Sequence, residues 1–220
     1  MKRFFPFVIV GVVAIAAVGG GTALYRSKRS ALRTVSKENY EPGSVSDSVH
    51  VLGPADAWIT LEEFGDFQCP PCGKLSEPIN ELRKDYKLRV IYREFPLPMH
   101  AHAREAALAA EAAGRQGKFW PMHDLLYKEQ EAWAKSTDVH SLFDSYAQKL
   151  GLDLSRFHSD MESKDVLEQV ELDQRRGAVI GVKNTPTIFL NNQAVAPNHL
   201  NPSDLRVEVE TAVKNTKPSS

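Results

Sequence analysis

Two cysteines occur in 220 residues, as Phe67-Gln-Cys-Pro-Pro-Cys-Gly73, directly after a segment that reads as a strand. That junction constrains the fold more than any other feature. Residues 58–64, Trp-Ile-Thr-Leu-Glu-Glu-Phe, alternate with a period of two and place Ile59, Leu61 and Glu63 on one face. From 69 to 86 the period becomes helical, with Leu75, Ile79 and Leu82 on one stripe and Pro78 expected to kink it. A strand that turns into a helix at Cys-x-x-Cys puts Cys69 at the helix N-terminus. Unpaired N–H groups and the helix dipole favour a thiolate there. Cys72 lies one turn further in. On this geometry Cys69 exchanges disulfides with a substrate and Cys72 resolves the mixed disulfide.

The spacing alone also permits half a zinc site or a structural disulfide. Zinc needs four ligands, and no second cysteine pair exists; His100 and His102 lie about 30 residues on. A two-residue loop constrains little chain entropy, which weakens the structural-disulfide reading.

Residues 88–95 read as a second strand, stopped by Pro96 and Pro98. From 102 to 176 the chain reads as helical throughout: 102–115, 119–131, a helix capped by Asp138 and stopped at Gly151, and 164–176 ended by Gly177. Residues 187–190, an Asn191-Asn192 turn and 194–196 read as a hairpin, and Ser203 as the cap of a last helix over 204–214. Strand, helix, strand, helical block, hairpin, helix implies an α/β sheet fold carrying a helical insertion. The aromatic Phe119, Trp120 and Trp133 read as core, and His123 as a structural part of the insertion.

Before that domain, Lys2 and Arg3 precede an uncharged run of 22 residues, from Phe4 to Tyr25. About 20 apolar residues span a bilayer as helix. Residues 1–25 are therefore expected to be a signal-anchor in preference to a cleaved signal peptide, with 26–50 a polar linker and 51–217 the folded domain. Arg26, Lys28, Arg29 and Arg33 follow the run, so flanking charge leaves the topology open. Net charge is −1 and the isoelectric point 6.7, with no basic face interleaved with aromatics, which argues against nucleic acid.

Four segments resemble the DsbA-type thiol:disulfide oxidoreductases: Glu63-Phe-Gly-Asp-Phe-Gln-Cys-Pro-Pro-Cys72, His100-Ala-His-Ala-Arg-Glu-Ala-Ala107, Gln116-Gly-Lys-Phe-Trp-Pro-Met-His-Asp124 and Gly181-Val-Lys-Asn-Thr-Pro-Thr187. The resemblance covers roughly residues 50–215, with the motifs in order, and is nearest the membrane-tethered or exported bacterial branch. It implies a thioredoxin fold with an all-helical insertion over about 100–178. It implies a cis-proline motif at Thr185-Pro186, whose backbone pairs with an extended substrate. It implies that Glu63 is a buried acid relaying the proton of Cys72, although the alternation leaves open that Glu62 points inward instead. The implied substrates are unfolded or partly folded secreted proteins with cysteines. The implied partner is a membrane redox protein of the DsbB or vitamin-K-epoxide-reductase type. The Cys69–Cys72 disulfide is the redox group, with no further cofactor and no metal.

The sequence departs from the family at Asn184, where glycine is frequent, and at Pro70-Pro71. Proline at the first helical position loses nothing, but Pro71 removes an N–H that could face the Cys69 sulfur. The expectation is a weaker oxidant than the roughly −120 mV extreme, nearer −180 to −270 mV. Three functions follow: an exported oxidase, a tethered reductase or isomerase with the same dithiol, and a non-enzymatic chaperone-like docking module. Oxidising chemistry needs an oxidising compartment, which places residues 26–220 outside the cytoplasmic membrane.

Overall fold

The computed structural model describes residues 50–216. The signal-anchor expectation and residues 26–49 of the expected linker fall outside that range; His50, read as the last linker residue, is instead buried in the domain, paired with Glu111 at 2.7 Å and stacked on Phe119. Among the described residues no helix is long and apolar enough to cross a membrane.

Strand β1 is Val51–Leu52 and β2 is Ile59–Gly65; helix α1, Pro70–Asp85, leads to β3, Leu88–Glu94. β2 and β3 pair in parallel from Ile59 opposite Leu88 to Gly65 opposite Glu94, and α1 is the crossover that a parallel pair requires. Six helices follow: α2 Ala103–Gly114, α3 Phe119–Lys128, α4 Gln130–Trp133, α5 Val139–Lys149, α6 Leu154–Met161 and α7 Lys164–Ile180. The chain then forms β4, Thr187–Leu190, and β5, Gln193–Ala194, and closes with α8, Pro202–Thr216. Asn191 and Asn192 take φ of 45° and 72°, the left-handed pair a tight hairpin turn needs. The sheet order is β1-β3-β2-β4-β5, with β4 antiparallel to β2. This is the thioredoxin fold, with a block of helices inserted between β3 and β4.

Two cores flank the site. Ile59, Leu61, Leu75, Ile79, Leu82, Val90, Ile188, Leu205 and Val209 bind α1 and α8 to one face of the sheet. A second core within the insertion reaches out to Phe67, Cys69, Cys72 and Tyr92. Because α1 contributes to both, its N-terminal turn sits at their junction.

The alternation in β2 does not separate a wet face from a dry one. Glu62 and Glu63 are both buried. Glu62 accepts from Arg93 Nε at 2.8 Å, and Arg93 Nη1 reaches Asp173 of α7 at 3.2 Å. The insertion covers the face that an antiparallel sheet could have left to solvent, so both faces of β2 are interior.

Other boundaries differ for local reasons. α7 passes through Gly177 and stops at Gly181, whose φ is 90°. A Cβ at Gly177 would lie 2.6 Å from the Phe95 ring and 3.1 Å from that of Phe64, so this glycine serves close packing. Residues 119–131 form two helices, and a helix over 154–161 follows Gly151. Asn201, one residue before α8, accepts from the Asp204 amide at 3.0 Å and from the Ser203 hydroxyl, so Asn201 is the cap. The 70–85 helix runs on through Pro78.

Candidate active site

Cys69 is the N-cap of α1, Pro70 and Pro71 occupy its first two helical positions, and Cys72 follows at the third. Both cysteines are free thiols, with Cys69 5% exposed and Cys72 fully buried. Pro70 and Pro71 face solvent. The β2–β4 register sets Phe64 opposite Thr187, which brings the residues just before β4 beside the chain just after β2. There the Thr185-Pro186 bond is cis, Pro186 is buried, and Cys69 Sγ donates to the Thr185 carbonyl at 3.3 Å.

Electrostatics pull the two thiols apart. The Cys69 pKa is lowered to about 6, first because the Cys72 thiol donates to its sulfur, then because the Thr185 hydroxyl and Cys72 amide do the same. Burial and the Asp66 carboxylate oppose the shift. Pro71 supplies no N–H, so the Cys72 amide is the helix-start donor that acts. Burial pushes the Cys72 thiol well up, reinforced by Cys69 and by the negative charges of Glu63 and Cys69. One sulfur is set to ionise and the other to keep its proton.

Glu63, opposite Ile188 in β4, lies behind the pair. It is fully buried, and its Oε1 has no hydrogen-bond partner. Burial first, and the Cys69 charge second, raise its pKa to about 8. A carboxyl that can gain or lose a proton near neutrality beside a buried thiol is suited to general acid–base work. The Thr185 hydroxyl is likewise buried without a partner when Cys69 is a thiol, which leaves it free to donate to the thiolate.

Several residues around the pair escape sequence reasoning. Asp66 is buried and holds the turn before Cys69: its Oδ1 accepts from the Gln68 amide, and its Oδ2 from the Leu97 amide and from His100 Nδ1 at 2.7 Å. An Asp two residues before a loop amide is a local turn signal, but its long-range partners leave no sequence trace. Gln130 of α4 donates through Nε2 to the carbonyls of Phe67 at 2.6 Å and Cys69 at 3.0 Å. Tyr92 and Tyr127 share a hydrogen bond at 2.7 Å beneath Phe67. His102, the other histidine of the H-x-H, pairs with Glu105. Neither histidine is hydrogen-bonded to a cysteine.

A parallel βαβ unit with Cys-x-x-Cys at the helix start, a cis-proline at its side and an inserted helical block define a thioredoxin-fold protein with a dithiol site. Residues 46–210 match the family model described as thioredoxin, and the chain belongs to that family. A thioredoxin-like oxidoreductase from Silicibacter pomeroyi is 27% identical, with a TM-score of 0.64 over 77% of this chain and 94% of that one. Oxidised BdbD from Bacillus subtilis is 24% identical, with a TM-score of 0.67 over 78% and 95%, a likeness of fold. Among curated proteins, Na(+)/H(+) antiporter NhaA 1 of Salinispora arenicola is 39% identical over 149 residues, 67% of this chain. The chain spans 22% of that antiporter's length and 24% of the related one from Herminiimonas arsenicoxydans.

Proposed function

We propose that the protein works outside the cytoplasmic membrane, exchanging a Cys69–Cys72 disulfide with cysteines of exported proteins. The observation that carries this reading is the pair of thiols at the start of α1, beside the cis Thr185-Pro186 bond, whose surroundings pull them apart: Cys69 towards thiolate, Cys72 towards thiol. In the oxidising direction a substrate thiolate attacks Cys69 Sγ. The Cys69–Cys72 bond breaks, and Cys72 leaves with the electron pair and takes a proton from Glu63. A second substrate thiolate then attacks the substrate sulfur of the mixed disulfide, forming the substrate disulfide and releasing Cys69 as the stabilised thiolate. An extended substrate pairs with the backbone at Thr185 as an added strand. Two thiols and a carboxyl carry all of this, with no further cofactor.

Reoxidation is assigned to a membrane redox partner of the DsbB or vitamin-K-epoxide-reductase type, with residues 4–25 holding the domain at the membrane. The need for an oxidising compartment supports that location. A structural neighbour from Salmonella enterica, 18% identical, is described as a periplasmic thioredoxin-like protein.

A second reading, reductase or isomerase, is favoured by one value. A thiolate pKa of about 6 lies between the roughly 7 of thioredoxin and the roughly 3.5 of DsbA, which implies an intermediate oxidant. Equilibration with glutathione redox buffers, run beside oxidative-refolding and insulin-reduction assays, decides between them. A potential near −120 mV makes the protein a dedicated oxidase; one between about −180 and −270 mV favours isomerisation or reduction. Absence of any exchange with glutathione would sink both.

A further inference from the structure

Glu63 is enclosed, yet the exchange cycle obliges its carboxyl to take up a proton and lose it again. Beside it lies a cavity of about 10 Å³, lined by Ser76 and Asn80 of α1, Tyr92 of β3, and Trp120, His123 and Asp124 of α3. That is room for about one water, with polar partners on several sides. Past the cavity, buried His123 meets exposed Asp124, Nδ1 to Oδ1 at 2.9 Å. Aromatic rings pack around the imidazole: Phe67, Tyr92, Trp120 and Tyr127 have centroids 5.6, 4.8, 5.0 and 5.0 Å from it. A histidine packed for structure alone has no need of a water-sized space shared with an unpartnered carboxyl.

We propose that His123 and Asp124 form the exit by which the proton passed between Cys72 and Glu63 reaches solvent. The assignment rests on the exchange chemistry proposed above. The imidazole Nδ1–H donates to the Asp124 carboxylate, which leaves Nε2 to accept. Burial lowers the His123 pKa, so the ring is neutral and its lone pair is available. When the dithiol closes to a disulfide, Glu63, protonated at neutral pH, first passes its own proton through the cavity water to Nε2, and the carboxylate so formed takes the proton of the Cys72 thiol. Nδ1 gives its own proton to Asp124, and Asp124 releases one to solvent. When the disulfide opens, the Cys72 thiolate needs one proton, and the same chain runs inward. Each full cycle therefore returns the imidazole to its starting tautomer without rotation of the ring.

The other titratable groups facing this path do not substitute for it. Tyr92 and Tyr127 face Glu63, but burial holds both hydroxyls protonated, well above the usual tyrosine range. Cys69 faces Glu63 but is the thiolate of the reaction. His50 faces His123 and is engaged with Glu111 at 2.7 Å.

The test uses the full chain, reduced and then mixed with oxidised glutathione in quenched flow. Formation of the Cys69–glutathione adduct and its closure by Cys72 are read separately by mass. His123→Gln is expected to slow closure about tenfold, and Asp124→Asn about threefold, with a raised solvent deuterium isotope effect on closure in both. Alkylation of Cys69 by iodoacetamide keeps its wild-type rate and pH profile, which separates proton delivery from damage to the fold. Closure within about twofold of wild type in both variants, with no change in isotope effect, overturns the proposal. If His123→Gln does not fold, Asp124→Asn alone decides, since that side chain is half exposed. A wild-type chain that forms the adduct and never closes it overturns the exchange function itself, and this exit with it.

Discussion

Cys69 Sγ and the carbonyl oxygen of Thr185, 116 residues apart in sequence, lie 3.3 Å from each other. The thiol donates to that carbonyl, and the Thr185 hydroxyl, buried without a partner, answers when the proton leaves. Thr185→Val keeps the shape and removes that donor. A hydrogen bond to a charged group is worth about 1.5–3 kcal/mol, so the Cys69 pKa is expected to rise by about one to two units. Thiolate absorbance followed against pH measures it, and an unmoved midpoint would refute a role for the hydroxyl.

Glu63 makes stability depend on pH in a stated direction. Its folded pKa of about 8 lies above the ordinary 4.5, so between those values the folded chain keeps a proton that the unfolded chain releases. The contribution of Glu63 to stability is greatest below pH 4.5, falls as pH rises through the window and levels off above 8; its full cost is on the order of 5 kcal/mol. Glu63→Gln removes that slope. The variant should gain on wild type steadily from pH 5 to 8 in urea unfolding, and parallel curves at both ends would show that Glu63 ionises freely.

The sequence carried the strand–helix junction, the order of elements and the four motifs because each is local: a period, a cap, a turn residue or a spacing. The second face of β2 was hidden for the opposite reason. Glu62 reads as a solvent-facing carboxylate until Arg93 and Asp173 come to it from β3 and α7. Gly177 read as a helix stop because glycine usually is one; only the rings of Phe64 and Phe95 give it another purpose. Ser203 read as a cap, though Asn201 two residues earlier makes the bond. At the site, Cys69, Cys72, Glu63 and Thr185-Pro186 were visible as motif, whereas the long-range bonds of Asp66 to Leu97 and His100 and of Gln130 to Phe67 and Cys69 are contacts that only the fold creates.

Gln130 ties the helical insertion to the chain around the cysteines. Its amide ties α4 to the carbonyls of Phe67 and Cys69, on either side of Gln68. Gln130→Ala leaves both carbonyls without that donor, at a cost of about 1–3 kcal/mol. Amide hydrogen exchange across residues 67–73 should accelerate while that of β2 and β3 stays unchanged. Uniform acceleration throughout the sheet would mean that Gln130 supports the global fold and not the site.

Pro71 is exposed, so it can be changed without disturbing either core. Its absent N–H leaves Cys72 as the helix-start amide that stabilises the Cys69 thiolate. Pro71→His restores an amide at the second helical position and adds a group able to carry positive charge. Both favour the thiolate, so the Cys69 pKa should fall below about 6. A thiolate stabilised only in the reduced protein makes the disulfide easier to reduce. Each unit of pKa, about 1.4 kcal/mol, corresponds to a disulfide roughly 30 mV more oxidising. Glutathione equilibration and the thiolate absorbance titration should therefore move together. A potential that moves while the titration stays fixed would show that the proline acts on the geometry of the disulfide and not on the charge of Cys69.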